Sequence, residues 1–436
     1  MDNVGIIITA RVNSSRLHQK VLQRINDRFA IDILLDHVVN DFCPVILAIP
    51  DTDENDILES IANERGIDVY RGYNESPLHR LTACAKEYGF EYVARVTSDD
   101  ILVDLFILLR QLKWAQKGDR DYVYVRRCPE GIGTEVIRTS VLDDVVKRVG
   151  EKPIEFVSYE IKNRKEYNTA EYFPGFEYQF KARLTMDYEQ DLTLIRILYS
   201  CLVNPGTLDI INFLKKNRWC LDINRLPAVT VYTCNYNTAP YIVDCIKSVL
   251  AQDFEDFELI VLDDHSTDDS MNVITEFVSS LPLQQQNKIR VVRNEKNIGL
   301  PASCNKVLSL ARGVYLVRVD SDDRLHPDYL SKTTEQARID NTHGVLTGYT
   351  RIDEEGGKLT DVLKNDWHPA CALLSRWVVN EIKYRDGVQY CEGDLFYKDF
   401  RKHYHHSFIS EPLWDYRQRP GQKTAQEDHP KNKAVL

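Results

Sequence analysis

The chain has 436 residues, 43% of them hydrophobic and 28% charged, and a net charge of −11. At roughly 100–200 residues per domain this length predicts two or three folded domains, and the acidic balance excludes the basic footprint of a nucleic-acid binder. Ten cysteines without a CxxC pair exclude a structural zinc site and read as reduced thiols, and no apolar run approaches the ~18 residues of a membrane helix, so the expected location is cytoplasmic with no membrane span.

The opening "MDNVGIIITARVNSSR" carries no cleavage-site pattern. Within it "VGIIIT" (Val4–Thr9) predicts a buried strand. The loop that follows, in "IIITARVNSSRLHQKVL", holds Ser14, Ser15, Arg11, Arg16 and Lys20. Hydroxyls, backbone N–H groups and fixed cations together suit a triphosphate, although surface loops often carry Arg and Lys. "PVILAI" (Pro44–Ile49) and "YVARV" (Tyr92–Val96) predict two more strands. A helical pattern around Ile57, Leu58 and Ile61 lies between them. Such alternation implies an α/β layer with a largely parallel sheet.

The third strand runs into "TSDD", ending at Asp100. Further along, "CPEGIGTEVI" places Glu135 in an expected substrate loop. In "KARLTMDYEQDLTLIRILY", Asp187 and Asp191 are four apart and share a face if the stretch is helical. The simpler reading of Asp191 is a helix-start acid.

The helical "LDIINFLKKN" and then "DINRLPA" (Asp222–Ala228) mark a junction, after which the pattern restarts. "AVTVYT" (Ala228–Thr233) predicts an opening strand. Thr238 and Pro240 make a helix start, and Ile242, Val243, Ile246, Val249 and Leu250 follow at helical spacing. "FELIVL" (Phe257–Leu262), "IRVV" (Ile289–Val292) and "YLVRV" (Tyr315–Val319) predict further strands.

"YLVRVDSDD", ending at Asp323, nearly repeats "YVARVTSDD", with Asp320 where the first copy has Thr97. In open α/β sheets ligands bind beyond the carboxyl ends of strands. Clustered carboxylates there repel one another, and a hard divalent cation on phosphate oxygens relieves the repulsion. The bland alternative is a solvated acidic loop. In "LDDHSTDDS" (Leu262–Ser270), Asp264 is placed to accept hydrogen bonds from a nucleoside, while Ser266 and Asp268 are good helix caps. Both readings hold together. The polar composition of residues 424–436 predicts a disordered tail.

Residues from about 228 to 420 resemble a family 2 glycosyltransferase of the GT-A fold. The likeness rests on "VTVYTCNYNTAPYIVDCIKSVLAQDFEDFELIVLDDHSTDDS", "NEKNIGLPASCNKVLSLARGVYLVRVDSDD" and "EGDLFYKDF", in that order. It implies that Tyr236 and Asp264 contact the nucleoside and that Asp320 lies near ribose or metal. It also implies that Asp322 holds Mg²⁺ or Mn²⁺ on the diphosphate. Asp394 becomes the general base that deprotonates the acceptor hydroxyl, with Glu392 the runner-up. A carboxylate opposite the leaving group is what inversion needs. An ordinary helix with an acidic first turn is the competing reading of "CEGDLFYKDF". "YRQRPGQKT" (Tyr416–Thr424) fits a basic segment that closes over the phosphates. The QxxRW motif and membrane helices of the processive polymerases are absent from this sequence.

Residues from about 4 to 225 resemble the cytidylyltransferases of the CMP-Kdo synthetase and spore-coat polysaccharide type. The matching stretches are the Ser14–Lys20 loop, "RGYNESPLHRL", "RVTSDDILVD" and "RLTMDYEQDL". The resemblance implies that Arg11, Ser14, Arg16 and Lys20 bind the triphosphate, with Lys20 and Arg11 assisting catalysis. Asp99 and Asp187 would hold Mg²⁺. Attack in line on the α-phosphorus needs cations and alignment and little covalent help. The sequence departs from the family pattern at Asn13, at His18-Gln19, where Pro-Gly is usual, and at Ser98.

The expectation is therefore two tandem Rossmann-like α/β domains. A cytidylyltransferase-like domain spans 1–225, a family 2 glycosyltransferase domain spans 226–423, and a polar tail spans 424–436. The implied function is bifunctional, in surface-glycan biosynthesis. CTP would activate an acidic sugar or phosphate-bearing small molecule, and a nucleotide sugar would donate to a glycan or lipid-linked glycan. The alternative is a glycosyltransferase whose first domain is a degenerate nucleotide-binding or docking module. Oligomeric state is left open.

Overall fold

Apolar β-branched runs alternating with amphipathic helices build one large sheet in each half of the chain, and a short ribbon pairs Arg24–Ile25 with Arg28–Phe29. The computed structural model describes residues 3–14, 16–151, 157–162, 164–363, 370–385 and 392–419. The chain divides into two units, Met1–Arg225 and Leu226–Leu436.

In the first unit the strands are β1 (Val4–Thr9), β2 (Val45–Ile49), β3 (Asp68–Arg71), β4 (Tyr92–Thr97), β5 (Tyr122–Val125), β6 (Glu135–Arg138) and β7 (Thr169–Tyr172). They pair in the order β3-β2-β1-β4-β6-β5-β7. β3, β2, β1 and β4 are parallel, while β6 runs antiparallel to both β4 and β5. All of β1 is buried because helices cover both faces. Ile6 and Ile8 join the core under helices Ala30–Val38 and Leu105–Lys117. Ile7 joins the core under Pro77–Glu87 and Thr139–Val149. Each such side chain contributes about 1.5–3 kcal/mol by leaving water.

The second unit repeats the plan with β8 (Val229–Asn235), β9 (Phe257–Asp263), β10 (Ile289–Arg293) and β11 (Tyr315–Arg318). It continues with β12 (Arg324–Leu325), β13 (Gly344–Ile352), β14 (Lys358–Val362), β15 (Leu373–Ser375) and β16 (His406–Arg417). The order is β10-β9-β8-β11-β15-β13-β16-β12, with β14 on the side of β13. β10, β9, β8 and β11 are parallel, and β15 turns antiparallel.

The two sheets reverse their strand order at the same place, between β1 and β4 and between β8 and β11. Thr9 pairs with Thr97 at the end of β4, and Tyr232 pairs with Arg318 at the end of β11. "TSDD" and "DSDD" therefore leave equivalent strand ends, where open sheets bind ligands.

Two local expectations are corrected. Glu135 opens β6 instead of sitting in a loop, because its side chain is drawn in by Arg95 Nη1 (2.8 Å) and the Tyr122 hydroxyl (2.6 Å). Asp187 precedes helix Glu189–Cys201, so it does not share a helical face with Asp191.

Candidate active sites

In the first unit the loop after β1 leads to Lys20, whose ammonium sits between two acids. Nζ donates to Asp99 Oδ2 at 2.8 Å and to Asp187 Oδ1 at 3.1 Å. Arg16 Nη1 lies 3.4 Å from the same Asp187 oxygen. Asp99 and Asp187 are 88 positions apart in the chain, and Lys20 brings both to one point. Arg11 is exposed at the start of the loop and Ser14 is half-buried. Ser15 lies outside the described residues.

The placing of Asp187 has a backbone cause. Met186 N donates to Asp99 O at 2.9 Å, and Leu184 N donates to Glu130 O at 2.8 Å. That second contact needs Gly131, which has φ +94°. A Cβ there would meet Thr185 N at 2.5 Å. Asp191 then caps its helix by accepting from Asp187 N and Tyr188 N, each at 2.9 Å. Arg183 ties the segment together, reaching Asp187 Oδ2 (2.9 Å), Asp191 Oδ1 (3.1 Å) and Glu130 Oε1 (2.8 Å). Sequence reasoning missed Arg183 and Glu130, which are 53 positions apart.

The charges in this site depend on one another. Burial pushes the Asp99 carboxyl up, but Lys20 more than reverses that and holds it well below the usual carboxylate range. Burial also works against the Lys20 charge, and Asp99 and Asp187 raise its pKa in spite of it. Burial and the Asp99 charge push Asp100 up to about 8, although the Thr97 hydroxyl donates to Asp100 Oδ2 at 2.7 Å. Of the departures noted in this loop, Gln19 takes the left-handed conformation, with φ 46° and ψ 43°. This is the geometry glycine supplies without cost. Asn13 instead donates Nδ2 to Glu54 Oε2 at 2.5 Å.

In the second unit Asp320 accepts from Arg318 Nε at 2.8 Å, and Asp322 Oδ2 accepts from Arg419 Nε at 2.6 Å. Asp323 Oδ1 accepts from Arg417 N at 2.9 Å, while its buried Oδ2 has no hydrogen-bond partner among the described residues. Burial raises the Asp322 carboxyl, with Arg419 opposing and Asp320 adding to the rise. Burial, then Asp322 and Asp320, push Asp323 further up.

Asp264 is held by three donors: Asn294 Nδ2 (2.8 Å), Ile298 N (2.9 Å) and Gly299 N (2.9 Å). Asp264 thereby clamps the 294–299 loop. Tyr236 is 46% exposed beyond the end of β8. Asp268 accepts from Ala239 N at 3.0 Å, at the start of helix Ala239–Leu250. Asp394 and Glu392 occupy the first turn of helix Glu392–His403. Their side chains lie outside the described residues.

Among the described residues no group of three or more His, Cys, Asp or Glu is arranged to cage a metal. Mg²⁺ does not require one, since it characteristically uses one or two carboxylates plus phosphate oxygens and water. Asp99 with Asp187, and Asp320 with Asp322, are pairs that fit that habit. No helix among the described residues is long and apolar enough to cross a membrane.

Fold and sites together define a protein of two tandem α/β nucleotide-binding domains. Residues 5–202 match the Cytidylyltransferase family and residues 230–404 match Glycosyl transferase family 2. The chain thus joins a cytidylyltransferase domain to a family 2 glycosyltransferase domain. It is 29% identical over 210 residues to the spore coat polysaccharide biosynthesis protein SpsF of Bacillus subtilis, covering 46% of this chain and 87% of that one. It is 34% identical over 140 residues to a chondroitin synthase of Escherichia coli, covering 32% of this chain. The match spans 20% of that synthase's length. A solved cytidylyltransferase from Leptospira borgpetersenii aligns with a TM-score of 0.47 and 24% identity, covering 51% of this chain and 98% of that one.

Proposed function

We propose that the protein is a bifunctional enzyme of surface-glycan biosynthesis. The first unit transfers a cytidylyl group from CTP to an acidic sugar or a phosphate-bearing small molecule. The second is a metal-dependent, inverting glycosyltransferase that uses a nucleotide sugar and a glycan or lipid-linked glycan acceptor. One observation carries the reading: each sheet ends its central fourth strand in paired carboxylates beside fixed cations, at equivalent points of strand reversal.

In the first unit Arg11, Ser14, Arg16 and Lys20 bind the triphosphate, and Lys20 and Arg11 offset charge that grows on the pyrophosphate as it leaves. Asp99 and Asp187 would hold Mg²⁺, which supplies charge neutralisation and alignment of the nucleophile when bound. In the second unit Tyr236 and Asp264 face the nucleoside. Asp322, with Asp320, would hold Mg²⁺ or Mn²⁺ on the diphosphate. Asp394 takes the proton of the acceptor hydroxyl, and the sugar carbon inverts as the hydroxyl attacks opposite the leaving group.

The alternative, a first domain that has lost catalysis, rests on His18 and Gln19. The left-handed backbone at Gln19 keeps the turn that the usual glycine would make, which favours an active domain. The test is to incubate the full chain with CTP, Mg²⁺ and a panel of sugar acids and phosphorylated small molecules. Pyrophosphate release supports the reading. CTP binding without release with any of them supports the degenerate alternative.

A further inference from the structure

Asp322 already has a cationic partner. The Arg419 guanidinium contacts it at 2.6 Å, and the two side chains are only 21% and 11% exposed. The segment that delivers Arg419 is pinned two residues earlier. Arg417 donates Nε to Asp322 O at 2.9 Å and Nη1 to Glu354 O at 2.6 Å, and its own N to Asp323 Oδ1. Both guanidinium groups lie over the Tyr241 ring, 5.1 and 5.4 Å from its centroid. The Tyr241 hydroxyl is fixed in turn on Glu354 Oε1 at 2.7 Å. Among the described residues, the only hydrogen bond of the Arg419 side chain is to Asp322.

Arg417 is therefore built into the site by backbone and side-chain bonds, whereas Arg419 is held by one carboxylate and a ring face. A divalent cation on Asp322 and a guanidinium on the same oxygen cannot share it, because like charges at contact in a half-buried site repel strongly. Displaced from Asp322, Arg419 stays tethered two residues beyond the anchored Arg417. The anion that arrives with the cation is a diphosphate, which a planar guanidinium binds with paired hydrogen bonds. We propose that Arg419 exchanges partners: it caps Asp322 in the donor-free protein and moves to the diphosphate of the nucleotide sugar when a divalent cation takes Asp322. The proposal rests on the reading of Asp322 as a cation ligand.

The experiment measures Mn²⁺ binding to the full chain, counting only the uptake that disappears in Asp322→Asn. Mn²⁺ is titrated first alone and then with UDP, GDP or CDP. Arg419→Ala should bind Mn²⁺ alone about tenfold more tightly, the weight of one charge-assisted hydrogen bond. It should bind the Mn²⁺–nucleotide pair about tenfold more weakly, for the same reason in reverse. Arg419→Lys, which keeps the charge without the fork, should fall between parent and alanine variant in both arms. Effects of opposite sign are the signature, since a merely structural role would weaken both. Unchanged or uniformly weakened binding in Arg419→Ala, with normal uptake by the parent, overturns the proposal alone. Absence of any Asp322-dependent Mn²⁺ uptake in the parent overturns the cation reading and the proposal with it.

Discussion

At the residue scale, the two nearly repeated strand ends differ at Thr97 and Asp320, and the difference redirects an arginine. In β4, Arg95 pairs with Glu135, and Thr97 gives its hydroxyl to Asp100. In β11, Arg318 pairs with Asp320, two residues along its own chain. The first site completes its acids with Asp187 and counters them with Lys20. Lys20→Met should lower the rate of pyrophosphate release by about 10²–10³-fold, as removal of a charge-stabilising donor does. It should also destabilise the first unit by about 3 kcal/mol at pH 7, because the partly buried Asp99 loses its counter-ion while Asp187 keeps only Arg183 and Arg16. The pH dependence has a definite sign. Asp99 is depressed in the folded state, so its contribution is present above the ordinary aspartate value and lost as pH falls below it. Lys20 is raised, so its contribution is present below the ordinary lysine value and lost as pH rises past its folded value. The stability gap between parent and Lys20→Met should therefore be widest between about pH 5 and 10, as denaturant titrations across pH will show. At the second site Asp394→Asn should leave nucleotide-sugar binding near the parent value while transfer falls about 10²–10⁴-fold. Transfer at the parent rate would reassign the base.

At the element scale, the structure separates groups that do chemistry from groups that hold them. Asp191 is 1% exposed and accepts from Arg183, Asn224 and two backbone N–H groups at the start of its helix. Asp191→Ala should cost the first unit about 3 kcal/mol in denaturant unfolding. Pyrophosphate release should fall too, because Arg183 and Asp187 lose their frame. The strands β1, β2, β4, β8, β9, β10 and β11 were legible from local pattern, since an apolar run bounded by turn residues is visible in a short window, whereas β3, β5–β7, β12–β16 and most helices were not read from it. Strand ends were less so: β8, β9 and β10 run on into Asn235, Asp263 and Arg293. There the ladder continues although the side chains turn polar. Glu135 was misread for the same reason, a charged residue kept in a strand by a partner on its neighbour.

At the scale of the whole molecule, the chain uses one sheet plan twice and loads it with different chemistry. The two reactions should then be separable. Asp322→Ala should abolish glycosyl transfer and leave CTP-dependent pyrophosphate release at the parent rate. Loss of both activities in that variant would sink the two-site reading.

The sequence by itself determined the α/β class, the restart near Pro227 and the acids at the strand ends, because these are written in contiguous apolar runs and in the residues that close them. It also pointed to Lys20, Asp99 and Asp187 as one group, through a family likeness and not through their spacing. Only the tertiary structure decided how they meet: Lys20 lies between acids 88 positions apart, held there by a close approach at Gly131. Only the tertiary structure brought Arg419 onto Asp322, 97 positions away. Ion pairs of that kind follow from sheet order and chain crossover, and no local pattern in the sequence encodes them.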